Sequence, residues 1–184
     1  MNIIIFANGV PPHTDSLIDK VKQADLVIAA DGGAAHCSKY GMLANILVGD
    51  LDSIKPALLA KYQQQQKEIH KHPTHKDATD LELCMDLALE KGAKNLDIIA
   101  ALGGRWDMSF GNILLATAPR FQSVKIQFFE QGCTLQILHP PGPHEIAGQI
   151  GTTISFLPLG GAANGVHLEG VAYPLHNHRI EFGS

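Results

Sequence analysis

Asp50 and Asp52 stand one residue apart, directly after the apolar run Ile46-Leu47-Val48-Gly49. In an extended segment residues i and i+2 point the same way, so both carboxylates can face one ion. Mg²⁺ takes hard oxygen ligands, usually one or two carboxylates together with phosphates and water. Asp and Ser also dominate solvated turns, so taken alone Asp50-Leu51-Asp52-Ser53 leaves both readings open. Three further acid-bearing clusters share the chain: Ala30-Asp31-Gly32-Gly33, Lys76-Asp77-Ala78-Thr79-Asp80 and Gly103-Gly104-Arg105-Trp106-Asp107. Carboxylates gathered at one place repel one another unless a cation neutralises them. A Mg²⁺-bound polyphosphate is the simplest ligand that wants this set of groups.

Each cluster has a chemical and a structural reading. Gly32 and Gly33 let a backbone approach a phosphate where a helix start offers N–H donors, or they serve a tight strand-to-helix turn. Asp77 and Thr79 are good helix caps, and Asp80 suits the first turn of a helix; Lys76 beside them equally fits a phosphate contact next to a metal ligand. Arg105 offers a planar fork for phosphate oxygens, and Asp107 can hold that guanidinium or cap the next helix. His70, His72 and His75 alternate in a polar stretch without a fourth spaced ligand and read as a solvated edge strand.

The elements that must position these groups alternate between two patterns. Residues 3–7, 26–30, 46–49, 96–102 and 124–129 are short aliphatic runs, as expected for strands covered on both faces. Between them, residues 16–23, 34–40, 56–66, 79–91 and 108–118 read as helices. In the clearest, Leu81, Cys84, Met85, Ala88 and Leu89 form one apolar stripe. This alternation predicts a doubly wound, mostly parallel sheet with helices on both faces, in which carboxyl-side strand ends share one crevice. After the Pro140-Pro141-Gly142-Pro143 break, glycines recur, and residues 152–157, 166–171 and 178–182 partly alternate, as in an antiparallel β-sandwich. The expected domains are therefore 1–129, an α/β domain, and 130–184, a smaller sandwich whose last strand stops at Phe182-Gly183-Ser184 as though cut short.

Composition narrows the function. The chain has 184 residues, 45% of them hydrophobic, and a formal net charge of -4, which offers no electrostatic footprint for nucleic acid or an anionic membrane. No run of about 18 apolar residues occurs. The three cysteines, Cys37, Cys84 and Cys133, are widely spaced and suggest neither a disulfide framework nor a zinc site. With no secretory leader ahead of the first strand, a cytoplasmic protein is expected.

Taken in order, the clusters resemble the thiamine pyrophosphokinase (thiamine diphosphokinase) family. The likeness runs from Asn8-Gly9 through Ala-Asp-Gly-Gly at 30–33, Gly-Asp-Leu-Asp-Ser at 49–53 and Lys-Asp-x-Thr-Asp-Leu-Glu at 76–82. It continues through Gly-Gly-Arg-x-Asp at 103–107 and Asn112 to Val171-Ala172-Tyr173-Pro174-Leu175. The resemblance implies an α/β domain carrying ATP and Mg²⁺, a C-terminal β-sandwich, and a homodimer with thiamine between subunits. On matching positions it implies Asp50, Asp52 and Asp80 as metal ligands, with Asp31 and Asp77 nearby, and Lys76, Thr79 and Arg105 on the phosphates. Asp107 would support Arg105 or the incoming hydroxyl; Asn8, Gly32, Gly33 and Asn112 would line the nucleotide site, and Tyr173 would lie against thiamine. Two departures stand out: Met108 replaces a His or other polar residue common in the family, and the chain ends before a Ser-Asn segment that helps form the thiamine pocket. The expected activity is diphosphoryl transfer from ATP to thiamine, giving AMP. The alternatives are another alcohol acceptor such as a hydroxymethylpterin, or a non-catalytic nucleotide- or thiamine-binding module.

Overall fold

A computed structural model describes residues 1–12 and 15–183; the expected end of the last strand at Ser184 lies outside them. The first compact unit, Met1–Pro140, is built on a seven-stranded sheet. Its strands are β1 (Asn2–Phe6), β2 (Leu26–Ala30), β3 (Ile46–Gly49), β4 (Glu68–Lys71), β5 (Asn95–Ile99), β6 (Lys125–Glu130) and β7 (Cys133–Ile137). Their order is β4-β3-β2-β1-β5-β6-β7, parallel throughout except for β7, which runs antiparallel to β6. The crossovers carry α1 (Asp15–Lys22), α2 (Gly33–Lys39), α3 (Pro56–Gln64), α4 (Asp80–Glu90) and α5 (Trp106–Ala116).

The aliphatic runs form strands because both of their faces are buried. Ile3, Ile5, Ile28, Ile46, Val48 and Ile98 point to one layer, packed with Leu81, Cys84, Met85 and Ala88 of α4 and Ala116 of α5. Ile4, Phe6, Val27, Ala29 and Leu47 point to the other, against Leu17 and Val21 of α1, Ala34 and Cys37 of α2 and Tyr62 of α3. Each fully buried Ile, Leu or Phe contributes roughly 1.5–3 kcal/mol, so this pattern fixes which strand residues face which helices.

Three elements differ from expectation. β5 ends at Ile99, not Leu102, because Ala100 turns into the left-handed region (φ 60) and leaves the sheet. β7 extends the sheet beyond the expected boundary at 129/130 and pairs Glu130 with Cys133 around Gly132. In the second unit, Pro141–Ser184, residues 152–157 form no strand. The small sheet there consists of β8 (Ala163–Leu168) and β9 (Leu175–Ile180), antiparallel with irregular register. Among the described residues no helix is long and apolar enough to cross a membrane.

Candidate active site

The strand order reverses at β1, whose neighbours are β2 and β5. Open α/β sheets bind ligands outside the carboxyl ends of the strands at such a switch point. Asn8 follows β1, Asp31 follows β2, Asp50 and Asp52 follow β3, and the Gly103-Gly104-Arg105 segment follows β5. The topology therefore brings clusters far apart in the chain to one edge.

At its centre, one carboxylate oxygen from each of Asp31, Asp50 and Asp52 lies within 4.8 Å of the others. Asp50 and Asp52 converge differently from the extended alternation expected. Leu51 between them has φ 68, and the Asp52 N–H donates to Asp50 Oδ1 at 3.2 Å, so a tight turn folds both carboxylates toward Asp31. Asp31 is buried and itself adopts φ 45, a conformation costing a non-glycine residue about 1–2 kcal/mol. Its Oδ2 accepts from the Ser53 hydroxyl, while its Oδ1 is buried without a hydrogen-bond partner.

Asp80 opens α4 close by. The helix is capped by Thr79, whose hydroxyl accepts from the Glu82 N–H at 3.1 Å. Asp80 Oδ1 is also buried and accepts no hydrogen bond; Lys76 Nζ stands 3.0 Å away as an ion pair and donates to the Pro73 carbonyl at 3.1 Å. Gly49 lets these acids approach, because a Cβ there would lie 3.0 Å from Asp31 Cβ and 3.3 Å from the Asp80 carboxyl carbon. Gly32 and Gly33 serve close packing too: side chains there would collide with Asn8 and with the Phe6 carbonyl.

Like charges set the protonation pattern. The Asp52 N–H holds the Asp50 carboxyl below its usual range, and desolvation opposes this in part. Asp52 is pushed up chiefly by the negative charge of Asp50, with Asp31 and Asp80 adding to the effect. Buried carboxylate oxygens without donors are costly to desolvate, and a hard cation satisfies them. This all-oxygen donor set fits Mg²⁺, with Asp31, Asp50, Asp52 and Asp80 as the residues able to hold it. Asp31 thus joins the tightest trio, a place the resemblance gave to Asp80.

Across the switch point, Arg105 makes a two-pronged contact with Asp107: Nε donates to Oδ1 at 3.1 Å and a terminal nitrogen donates to Oδ2. This pairing holds the Arg105 guanidinium above, and the Asp107 carboxyl below, their usual ranges. Both side chains are exposed, so the fork is presented to solvent on a loop. A cavity of about 130 Å³ lined by Thr79, Glu82, Asp107, Met108 and Asn112 joins the start of α4 to the start of α5.

The remaining expected residues divide. Asn112 is buried and donates to the Ala101 carbonyl at 2.7 Å, so its amide serves the loop before Arg105. Asp77 is exposed beside Lys76. Tyr173 is 87% exposed in the second unit. Two contributors were not singled out in the sequence. Ser53, visible in the Gly-Asp-Leu-Asp-Ser run, fixes Asp31. Glu130 accepts from the N–H groups of Ala101 and Leu102 at 3.0 and 2.8 Å, a contact with no local sequence signal.

Comparison with known proteins adds an independent line. The family model "Thiamin pyrophosphokinase, catalytic domain" matches residues 18–128, and "Thiamin pyrophosphokinase, vitamin B1 binding domain" matches residues 142–184. Thiamine pyrophosphokinase of Bacillus subtilis (strain 168) is 31% identical over 183 residues, covering 99% of this chain and 85% of that protein. Thiamine pyrophosphokinase 1 of Oryza sativa subsp. japonica is 26% identical over 205 residues, covering 98% and 76%. The crystal structure of the Bacillus subtilis thiamine pyrophosphokinase superposes with a TM-score of 0.81 at 28% identity, over 100% of this chain and 86% of that one. A family protein from Enterococcus faecalis, at 22% identity and TM-score 0.79 over 100% and 86%, shares the fold.

Proposed function

The chain belongs to the thiamine pyrophosphokinase family, and from this we infer that it is a thiamine diphosphokinase, moving the diphosphoryl group of ATP onto thiamine. The observation that carries the phosphate half of this reading is the pair of buried oxygens that accept no hydrogen bond, Asp31 Oδ1 and the Lys76-paired Asp80 Oδ1, beside Asp50 and Asp52. Such a group is stabilised when a divalent cation bound to a polyphosphate enters it.

The chemistry joins the hydroxyethyl oxygen of thiamine to the β-phosphorus of ATP. The bond from that phosphorus to the oxygen bridging it to the α-phosphate breaks, AMP leaves, and the hydroxyl proton is released. A bound Mg²⁺ would neutralise phosphate charge as the transfer proceeds. The protein's own residues position and stabilise. Lys76 and Arg105 supply positive charge for the phosphate oxygens, Arg105 as a planar fork that Asp107 pre-orients. Asp107 is committed to Arg105, which favours its supporting role over contact with the incoming hydroxyl. Thr79 contributes its side chain at the α4 start, and Asn8, Gly32 and Gly33 shape the floor of the crevice.

The acceptor reading rests on the match of residues 142–184 to the vitamin B1 binding domain, with Tyr173 as the aromatic face for thiamine. A homodimer is supported by the row Trp106, Phe110 and Leu114, exposed at 80%, 62% and 53% and spaced i, i+4, i+8 on α5. A cytoplasmic location is supported by three free cysteines, two of them buried. Phosphorus NMR of ATP, Mg²⁺ and thiamine with the protein tests the reaction: AMP and thiamine diphosphate appear together. Formation of ADP overturns it, and preference for a pterin alcohol in direct competition overturns the acceptor.

A further inference from the structure

β5 leaves the sheet at Ala100, and the segment from there to Arg105 must hold its shape without strand partners. Six of its backbone groups are nonetheless tied individually. The Ala100 carbonyl accepts from the Gly9 N–H at 2.8 Å, and the Ala101 carbonyl from Asn112 at 2.7 Å. The Gly103 N–H donates to Ser109 Oγ at 2.8 Å, and the Ser109 hydroxyl donates to the Arg105 carbonyl at 3.0 Å. The amides of Ala101 and Leu102 both donate to one oxygen, Glu130 Oε1. Ile99 pairs with Phe129, so Glu130, paired with Cys133 of β7 on its other side, sits one step beyond the last β6 residue paired with β5, where its side chain replaces the missing strand contact.

We propose that Glu130 is a positioning residue for phosphoryl transfer, its Oε1 gripping the Ala101 and Leu102 amides so that the Gly103-Gly104 turn presents Arg105 and Asp107 in a fixed place. The inference rests on the reading of Arg105 as a phosphate contact. One oxygen does the gripping, so an amide carbonyl suffices where the carboxylate now stands. Burial already pushes the Glu130 carboxyl above its usual range, consistent with a role that needs an acceptor more than a charge.

Replacing this acceptor frees the loop, and displacing a contacting group by about 1 Å can cost on the order of 10²-fold in rate. The test is steady-state AMP formation by the full chain, with the folded fraction monitored by circular dichroism. Glu130→Ala is expected to lower kcat ~10–100-fold with a smaller change in the KM for ATP, whereas Glu130→Gln stays within about 3-fold of the parent. Glu130→Asp, one methylene shorter, loses rate like Glu130→Ala and serves if the alanine variant does not fold. Because Glu130 acts through Arg105, Glu130→Ala in an Arg105→Ala background is expected to change kcat by less than about 2-fold. Equal losses in both backgrounds, or equal losses for Gln and Ala, reduce Glu130 to a fold-stabilising contact and overturn the proposal. If Arg105→Ala alone leaves the rate intact, the phosphate reading fails and this inference falls with it.

Discussion

Gly49→Ala is the substitution whose consequences the site geometry specifies most fully. Gly49 has φ 142, and its missing side chain leaves room for two acids on neighbouring elements. Backbone in that region costs an L-residue about 1–3 kcal/mol. The added methyl would also stand 3.0 Å from Asp31 Cβ and 3.3 Å from the Asp80 carboxyl. Neither neighbour yields freely, since Asp31 is buried and tied to Ser53, and Asp80 is fixed at the first turn of α4. Overpacking of this kind adds about 1–3 kcal/mol. Together the two effects come to about 4 kcal/mol, and at roughly 2–4 °C per kcal/mol the melting point falls by about 8–16 °C. The methyl parts Asp31 and Asp80, so the Mg²⁺ concentration giving half-maximal AMP formation rises and kcat drops about 10-fold, short of the 10²-fold that a full ångström costs. The assay is a thermal melt followed by a Mg²⁺ titration of the rate. A melting point within about 2 °C of the parent together with an unchanged Mg²⁺ requirement refutes the claim that these acids meet across Gly49.

Arg105→Ala is expected to lower kcat on the order of 10³-fold, the scale of arginine groups in related transfers, while Asp107→Asn costs less because the fork loses only its brace; rapid-quench measurement of AMP separates the two. Asn112→Ala leaves the buried Ala101 carbonyl without its donor and is expected to destabilise the protein by about 1–3 kcal/mol in a urea titration. His36 carries a pH effect: Nε2 lies 2.8 Å from the Gly9 carbonyl, and burial lowers its pKa below the ordinary 6.5. A depressed folded value means its contribution to stability is present above 6.5 and is lost as pH falls through that lower value. Melts between about pH 7 and pH 5 should therefore show a smaller acid loss for His36→Gln than for the parent. Tyr173→Ala is expected to raise the KM for thiamine while leaving that for ATP unchanged, as initial-rate kinetics with each substrate varied would show.

The parts of this molecule that could be read from the chain are those where one segment carries its own instruction. β1, β2 and β3 announce themselves because strands buried on both faces must be continuously aliphatic. α4 shows a stripe, and Thr79 its cap. The acids were legible as a set because each follows a strand or opens a helix at the same edge. What the chain hid depends on partners distant in sequence. β7 is an edge strand whose residues are mostly exposed or half-buried, so no apolar run betrays it. Residues 152–157 alternate like a strand but pair with no strand among the described residues. The early end of β5 follows from Ala100 entering the left-handed region, and the compensating acceptor, Glu130, lies 28 and 29 residues from the amides it binds. Asn112 carries, besides the nucleotide contact the resemblance implies, a structural bond from its Nδ2 to the Ala101 carbonyl. The convergence of Asp50 and Asp52 was foreseen for the wrong local reason, since a turn through Leu51 brings it about.

Diffraction from crystals grown with Mn²⁺ in place of Mg²⁺ and a non-hydrolysable ATP analogue tests the central idea most directly. The account predicts an anomalous peak about 2.1 Å from carboxylate oxygens of the Asp31, Asp50, Asp52 and Asp80 group, with analogue phosphate oxygens on the same ion. A metal–nucleotide complex bound elsewhere, with these four carboxylates ligating nothing, contradicts it.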